Sequence, residues 1–167
     1  MIINKVKEII AIDPGTIKAG IAYFVNEKLV KSEQINLKGK DIYDRLRQLK
    51  QALYAFKFNN CPLVGLCAVE TQYIGRNPQS GLKIGQARGV ALGVILENDC
   101  KIIDISPQEV RKYYGVSTRA KKEDYQKIVR LEHKALNMAE DEADAVAIGY
   151  TAIYKIKNVN LYNKTKK

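Results

Sequence analysis

Apolar and polar positions along this 167-residue chain switch between a two-residue and a three-to-four-residue period, and each switch marks an element. Residues 6–13, VKEIIAID, form an apolar run that ends on an acid before Pro14-Gly15 turns the chain. GIAYFV at 20–25 and KLVKSEQINL at 28–37 read as strands about a turn at Asn26-Glu27, which predicts a three-stranded antiparallel meander. From Asp41 to about Phe58, Ile42, Leu46, Leu49, Leu53 and Phe56 recur at helical steps, the mark of an amphipathic helix capped by Asp41. LVGLCAVE at 63–70 is apolar until Glu70, the pattern of a strand buried on both faces. TQYIGRNPQSG at 71–81 reads as a polar loop with Gly, Asn and Pro breakers.

The second half alternates helix and strand. A helix is predicted from Leu82 to about Asn98, with Gly85, Gly89 and Gly93 on one stripe. Each glycine there costs roughly 1 kcal/mol against alanine, so the stripe suits the close approach of another backbone, either the chain's own sheet or a second subunit. KIIDI at 101–105 reads as another buried strand, and Ser106-Pro107 opens a short helix to about Tyr114. A basic helix follows over about 120–136, then a last helix over about 140–155 and a basic tail at 156–167. Strands in antiparallel array followed by strand–helix–strand units predict an α/β fold: one domain over 1–155, a mixed five-stranded sheet flanked by helices.

Charge divides along the chain. Residues 111–134 carry eight basic and three acidic side chains, 135–154 carry four acids and no base, and 155–167 carry five bases and no acid. The formal net charge is +10, so the pattern suits a polyanionic partner beside a local site rich in carboxylates. Cys61, Cys67 and Cys100 have no CxxC spacing and are odd in number, which argues for buried free thiols. His133 is the sole histidine; it is read as a surface residue, and it leaves no conventional zinc site and no base for a serine or cysteine triad. No run approaches the length of a membrane span and no secretory leader is legible, so the chain is expected to be soluble and intracellular.

The acids carry the chemistry. Asp13 and Glu70 each end an apolar strand; if those strands are parallel neighbours, both emerge at the carboxyl edge where open α/β sheets place ligands. Asp141 and Asp144 lie three apart on one helix and face the same way. Glu140, Asp141 and Glu142 also suit a helix N-terminus on dipole grounds alone, but Asp144 stands inside the apolar run Ala143, Ala145, Val146, Ala147, Ile148. Four converging carboxylates repel unless cations lie between them, and Mg²⁺ is the usual occupant when phosphate is the substrate. Two such ions about 3.5–4 Å apart can activate water and stabilise the leaving oxygen of a phosphodiester. Hydrolysis of a nucleic-acid backbone is the predicted chemistry.

IDPGTIKAGIA at 12–22, VETQYIGRNPQSGLKIGQARGVAL at 69–92 and DEADAVAIG at 141–149 together resemble the RuvC family of Holliday junction resolvases, over roughly residues 6–155. The resemblance implies an RNase H-like fold. It matches Asp13, Glu70, Asp141 and Asp144 to the family's metal-binding acids and Lys122 to a lysine near the scissile phosphate. It implies a homodimer, two Mg²⁺ per site with Mn²⁺ as a substitute, and paired symmetric nicks in a four-way junction that leave 5′-phosphate and 3′-hydroxyl ends. The implied setting is the cytoplasm of a bacterium or a phage-infected cell. Tyr73 falls at an aromatic position used for stacking at the junction centre, Arg111 stands where lysine is more usual, and Thr71 where glutamine often follows the second acid. With the basic blocks, this gives Tyr73, Arg76, Arg111, Lys112, Arg119, Lys121 and Lys122 as the expected DNA contacts.

Three alternatives stay open at this point: a YqgF-like nuclease acting on RNA, a phage enzyme that cuts branched DNA more broadly, and a non-catalytic junction-binding protein. The basic blocks serve all of them, whereas an architectural protein has no use for Asp144 on an apolar face. Nothing in the sequence points to a branch-migration motor as a partner.

Overall fold

The computed structural model describes residues 8–60, 65–71, 77–97 and 100–165. Its first three strands, β1 (Glu8–Asp13), β2 (Lys18–Val25) and β3 (Lys28–Asn36), form the expected antiparallel meander. Asn26 and Glu27 make the β2–β3 turn with positive φ, 47° and 69°, as a two-residue hairpin loop requires. There follow α1 (Ile42–Asn60), β4 (Leu66–Glu70), α2 (Pro78–Leu96), β5 (Lys101–Ile105), α3 (Pro107–Tyr113), α4 (Lys122–Glu132) and α5 (Glu140–Thr165). The sheet order is β3-β2-β1-β4-β5, with β4 parallel to both β1 and β5.

Continuous apolar strands follow from a sheet covered on both faces. Ile10, Ile12, Cys67 and Val69 pack on one side with Leu49, Leu53 and Phe56 of α1 and Ala87, Ala91 and Val94 of α2. Ile9, Ala11, Phe24 and Ala68 pack on the other with Val110 of α3, Tyr125 and Val129 of α4, and the apolar face of α5. Cys67 and Cys100 are buried, as expected, while Cys61 lies outside the described residues. His133 is half-buried, its ring stacked on Tyr150 at 5.3 Å, and not a plain surface residue. Among the described residues, no helix is long and apolar enough to cross a membrane.

Three boundaries and the burial of one strand differ from the pattern-based expectation. The second helix begins at Pro78 and not at Leu82, because Asn77 Oδ1 accepts hydrogen bonds from the Gln79 and Ser80 amides at 3.1 and 3.3 Å. Proline at the first helical position loses nothing, since that amide has no partner in a helix anyway. Asn77→Ala is therefore expected to cost about 1 kcal/mol, read from the urea midpoint. The strand at 101–105 is an edge strand in which only Ile105 is buried, with Ile102 and Ile103 half-buried against opposite faces of the sheet. Helix α4 is shorter than 120–136, and the chain leaves it through Lys134 at φ 52°. Helix α5 passes Tyr154 without interruption to Thr165, with Ile156 buried against the core.

Candidate active site

Strands β1 and β4 run parallel in the register Ile12↔Val69, so the next residues, Asp13 and Glu70, leave the sheet side by side at its carboxyl edge. Their carboxyl groups lie near enough to repel one another. Asp13 is only 7% exposed.

The other two acids arrive from α5. Across the β1–β2 ladder, Asp13 faces Gly20, and a Cβ on Gly20 would lie 1.7 Å from the Asp141 carbonyl oxygen. The missing side chain lets the first turn of α5 rest on β2 beside Asp13. Asp144, one turn further on, is 5% exposed. Lys122 Nζ lies 3.0 Å from its Oδ2, and the Tyr125 hydroxyl and Gln126 Nε2 each donate to Oδ1 at 2.8 Å. Beside these groups opens a cleft of about 410 Å³, whose lining includes Asp13, Glu70, Lys122, Asp141 and the turn from Pro14 to Lys18.

Crowding of negative charge sets the electrostatics. Burial, followed by the repulsion of Glu70, Asp144 and Asp141, holds the Asp13 carboxyl well above the usual carboxylate range, with Lys122 acting against them. Burial raises Glu70 as well, opposed by Lys122. Asp141 rises through burial and the nearness of Asp144. Burial alone would lower Lys122, but the attraction of Asp144, Asp13 and Glu70 outweighs it and raises the ammonium, which stays charged. These are hard oxygen donors with surplus negative charge, a donor set suited to Mg²⁺ or Mn²⁺. Among the described residues, no three His, Cys, Asp or Glu side chains are already drawn together tightly enough to enclose one ion; in this arrangement Lys122 brings positive charge to Asp144, Asp13 and Glu70, and Lys18 to Asp141.

Two arginines stiffen the surroundings. Arg88 of α2 donates through Nε to the Glu70 carbonyl at 3.2 Å and pairs with Asp104, which ties together the ends of β4 and β5. Arg111 donates to the carbonyls of Ala120 at 2.9 Å and Pro107 at 3.2 Å, so it braces the segment leading into α4. Lys112, Arg119 and Lys121 are exposed. Tyr73 and Arg76 lie outside the described residues. Sequence reasoning did not single out Tyr125, Gln126, Arg88 or Gly20. The first two carried a usable signal, since they stand three and four residues after Lys122 and share its helix face.

A model of the family described as "Crossover junction endodeoxyribonuclease RuvC" matches residues 9–152. The chain is 31% identical over 150 residues to the crossover junction endodeoxyribonuclease RuvC of Chlamydia abortus, covering 84% of this chain and 90% of that protein. It is 29% identical over 161 residues to that of Baumannia cicadellinicola, covering 91% and 90%. Among solved structures, Thermus thermophilus RuvC superposes with a TM-score of 0.71 at 22% identity, over 92% of this chain and 97% of that one. T. thermophilus RuvC in complex with a Holliday junction substrate superposes at 0.69 and 22%, over 86% and 90%. The fold is thus the RNase H-like fold of these neighbours, as the sequence implied.

Proposed function

This chain belongs to the RuvC family of crossover junction endodeoxyribonucleases, and from that premise we propose that it resolves four-way DNA junctions by paired symmetric nicks, with Asp13, Glu70, Asp141 and Asp144 holding the metal. The observation that carries this reading is the meeting of the strand-end acids Asp13 and Glu70 with Asp141 of α5 in the lining of one cleft, beside Asp144 of the same helix, which is buried as Asp13 is. When bound, a pair of Mg²⁺ ions, or Mn²⁺ in their place, supplies an activated water and charge stabilisation for the departing oxygen.

The remaining work falls to side chains. Lys122, kept charged by its acidic neighbours, offers an ammonium to the scissile phosphate at the mouth of the cleft. Exposed Lys112, Arg119 and Lys121 hold the backbone on either side, Tyr73 stacks at the junction centre, Arg76 contacts the DNA, and Arg111 keeps the loop before α4 in shape. A homodimer supplies two such centres. It is supported by Gly85, Gly89 and Gly93 of α2, where an added Cβ would meet nothing within 4 Å among the described residues, and by exposed Leu82 on the same helix; among those residues the chain's own sheet does not occupy the stripe, which suits a second copy.

Incubating the protein with labelled four-way junctions, forks and linear duplex, in Mg²⁺, Mn²⁺ or chelator, tests the reading. Symmetric nicks with 5′-phosphate and 3′-hydroxyl ends, confined to the junction and abolished by chelator, are expected. Equal cutting of forks points to a broader branched-DNA nuclease, and cutting in chelator removes the metal from the mechanism. The basic tail gives a second expectation. Because Ile156 is part of the core, truncation after Asn158 is the informative cut; it removes Lys164, Lys166 and Lys167. For every phosphate that the shortened tail no longer neutralises, the slope of log affinity against log salt should flatten by roughly 0.9, and an unchanged slope would show the tail to be uninvolved.

A further inference from the structure

Asp144 receives three hydrogen-bond donors, and all three leave one helix. Lys122, Tyr125 and Gln126 stand at i, i+3 and i+4 on α4, a spacing that places side chains on one face. Lys122 takes Oδ2 at 3.0 Å, whereas the Tyr125 hydroxyl and Gln126 Nε2 both reach Oδ1 at 2.8 Å. Gln126 Nε2 also donates to the Glu140 carbonyl at 3.4 Å. Both partners of that amide are acceptors, which decides that its amino end faces them. Tyr125 and Gln126 are each 3% exposed. A glutamine buried to this depth is costly unless its hydrogen bonds are made, and a leucine there would fill the α4–α5 seam without that demand.

We infer that Tyr125 and Gln126 are positioning residues of the nuclease centre: by engaging Oδ1 they fix the Asp144 carboxylate in one orientation and leave Oδ2 as the oxygen offered to a cation. The inference rests on the reading of Asp144 as a metal ligand. Neither residue touches reacting atoms; each acts through the acid it holds. Their importance follows from the geometry of the seam. Asp144 belongs to α5, its two Oδ1 partners to α4, and Gln126 bonds in addition to the backbone of the first α5 turn, so the register of the two helices and the aim of the carboxylate are set together.

The test uses the full chain and two conservative variants, Tyr125→Phe, which removes one hydroxyl, and Gln126→Met, which removes one amide. For each, the metal concentration giving half-maximal junction cleavage is expected to rise about 10-fold, with the rate recovering to within about threefold at saturating Mn²⁺. Binding of Mn²⁺ to the protein without DNA, followed by electron paramagnetic resonance, should weaken by the same factor. A defect of packing alone is not rescued by metal, so variants that lose cleavage at every metal concentration overturn the inference. Asp144→Asn separates the two levels of the claim. If it keeps metal binding and cleavage, the ligand assignment fails and the inference with it; if it loses both while Tyr125→Phe and Gln126→Met bind Mn²⁺ as the unsubstituted protein does, only the positioning role is overturned.

Discussion

Glu70→Gln is expected to lower junction cleavage by roughly 10³-fold or more, because a ligand charge that organises several kcal/mol of transition-state stabilisation is lost, at 1.36 kcal/mol per decade of rate. Glutamine keeps the size of the side chain, so β4 and its parallel register with β1 have no reason to move. The Arg88 bond to position 70 goes to the backbone carbonyl and survives. Junction affinity in chelator should stay within about twofold, or improve slightly, since one negative charge near the phosphates has gone. Paired gel-shift and cleavage assays on the same protein separate the two quantities. Mg²⁺-dependent cleavage at the unsubstituted rate would sink the assignment of Glu70 to the active centre.

Gly20→Ala should produce the second largest effect, although Gly20 has no chemistry of its own. The added methyl would lie 1.7 Å from the Asp141 carbonyl oxygen and 3.0 Å from the Ala145 Cβ. The first obstacle is backbone, which cannot rotate aside as a side chain can, so the start of α5 must lift from β2. Overpacking of this kind typically costs about 1–3 kcal/mol, at about 2–4 °C of melting temperature per kcal/mol for a domain of this size. The same lift carries Asp141 and Asp144 away from Asp13 and Glu70. A displacement of roughly 1 Å in a catalytic constellation can cost about 10²-fold in rate. Calorimetry together with cleavage assays well below the melting transition would show both losses; a variant that melts lower but cuts normally would show that α5 tolerates the shift.

Much of this centre was legible in the chain because its acids violate local patterns. Asp13 and Glu70 end apolar strands, and Asp144 interrupts an apolar helix face; burial gives such residues a cost that a structural role does not readily repay. The meander was legible for the complementary reason, since period and turn chemistry are local properties. What escaped were features decided by neighbours. The apolar letters of β5 are the same whether the strand is central or at the edge, and only the sheet order distinguishes these. The start of α2 was hidden because Asn77-Pro78 reads as a breaker until the side-chain cap is seen. Tyr125 and Gln126 look like ordinary residues of an amphipathic helix, and their partner lies 18 or 19 residues away on a different one.

Lys122 bears on how the protein comes into being. Many small metalloproteins stay unfolded until their ion arrives, because a cluster of ligand charges cannot be assembled without it. Here a positive charge encoded in the chain already pairs with the most deeply buried acid, so assembly of the nuclease centre during synthesis need not wait for magnesium, and chelation should silence the enzyme without unfolding it.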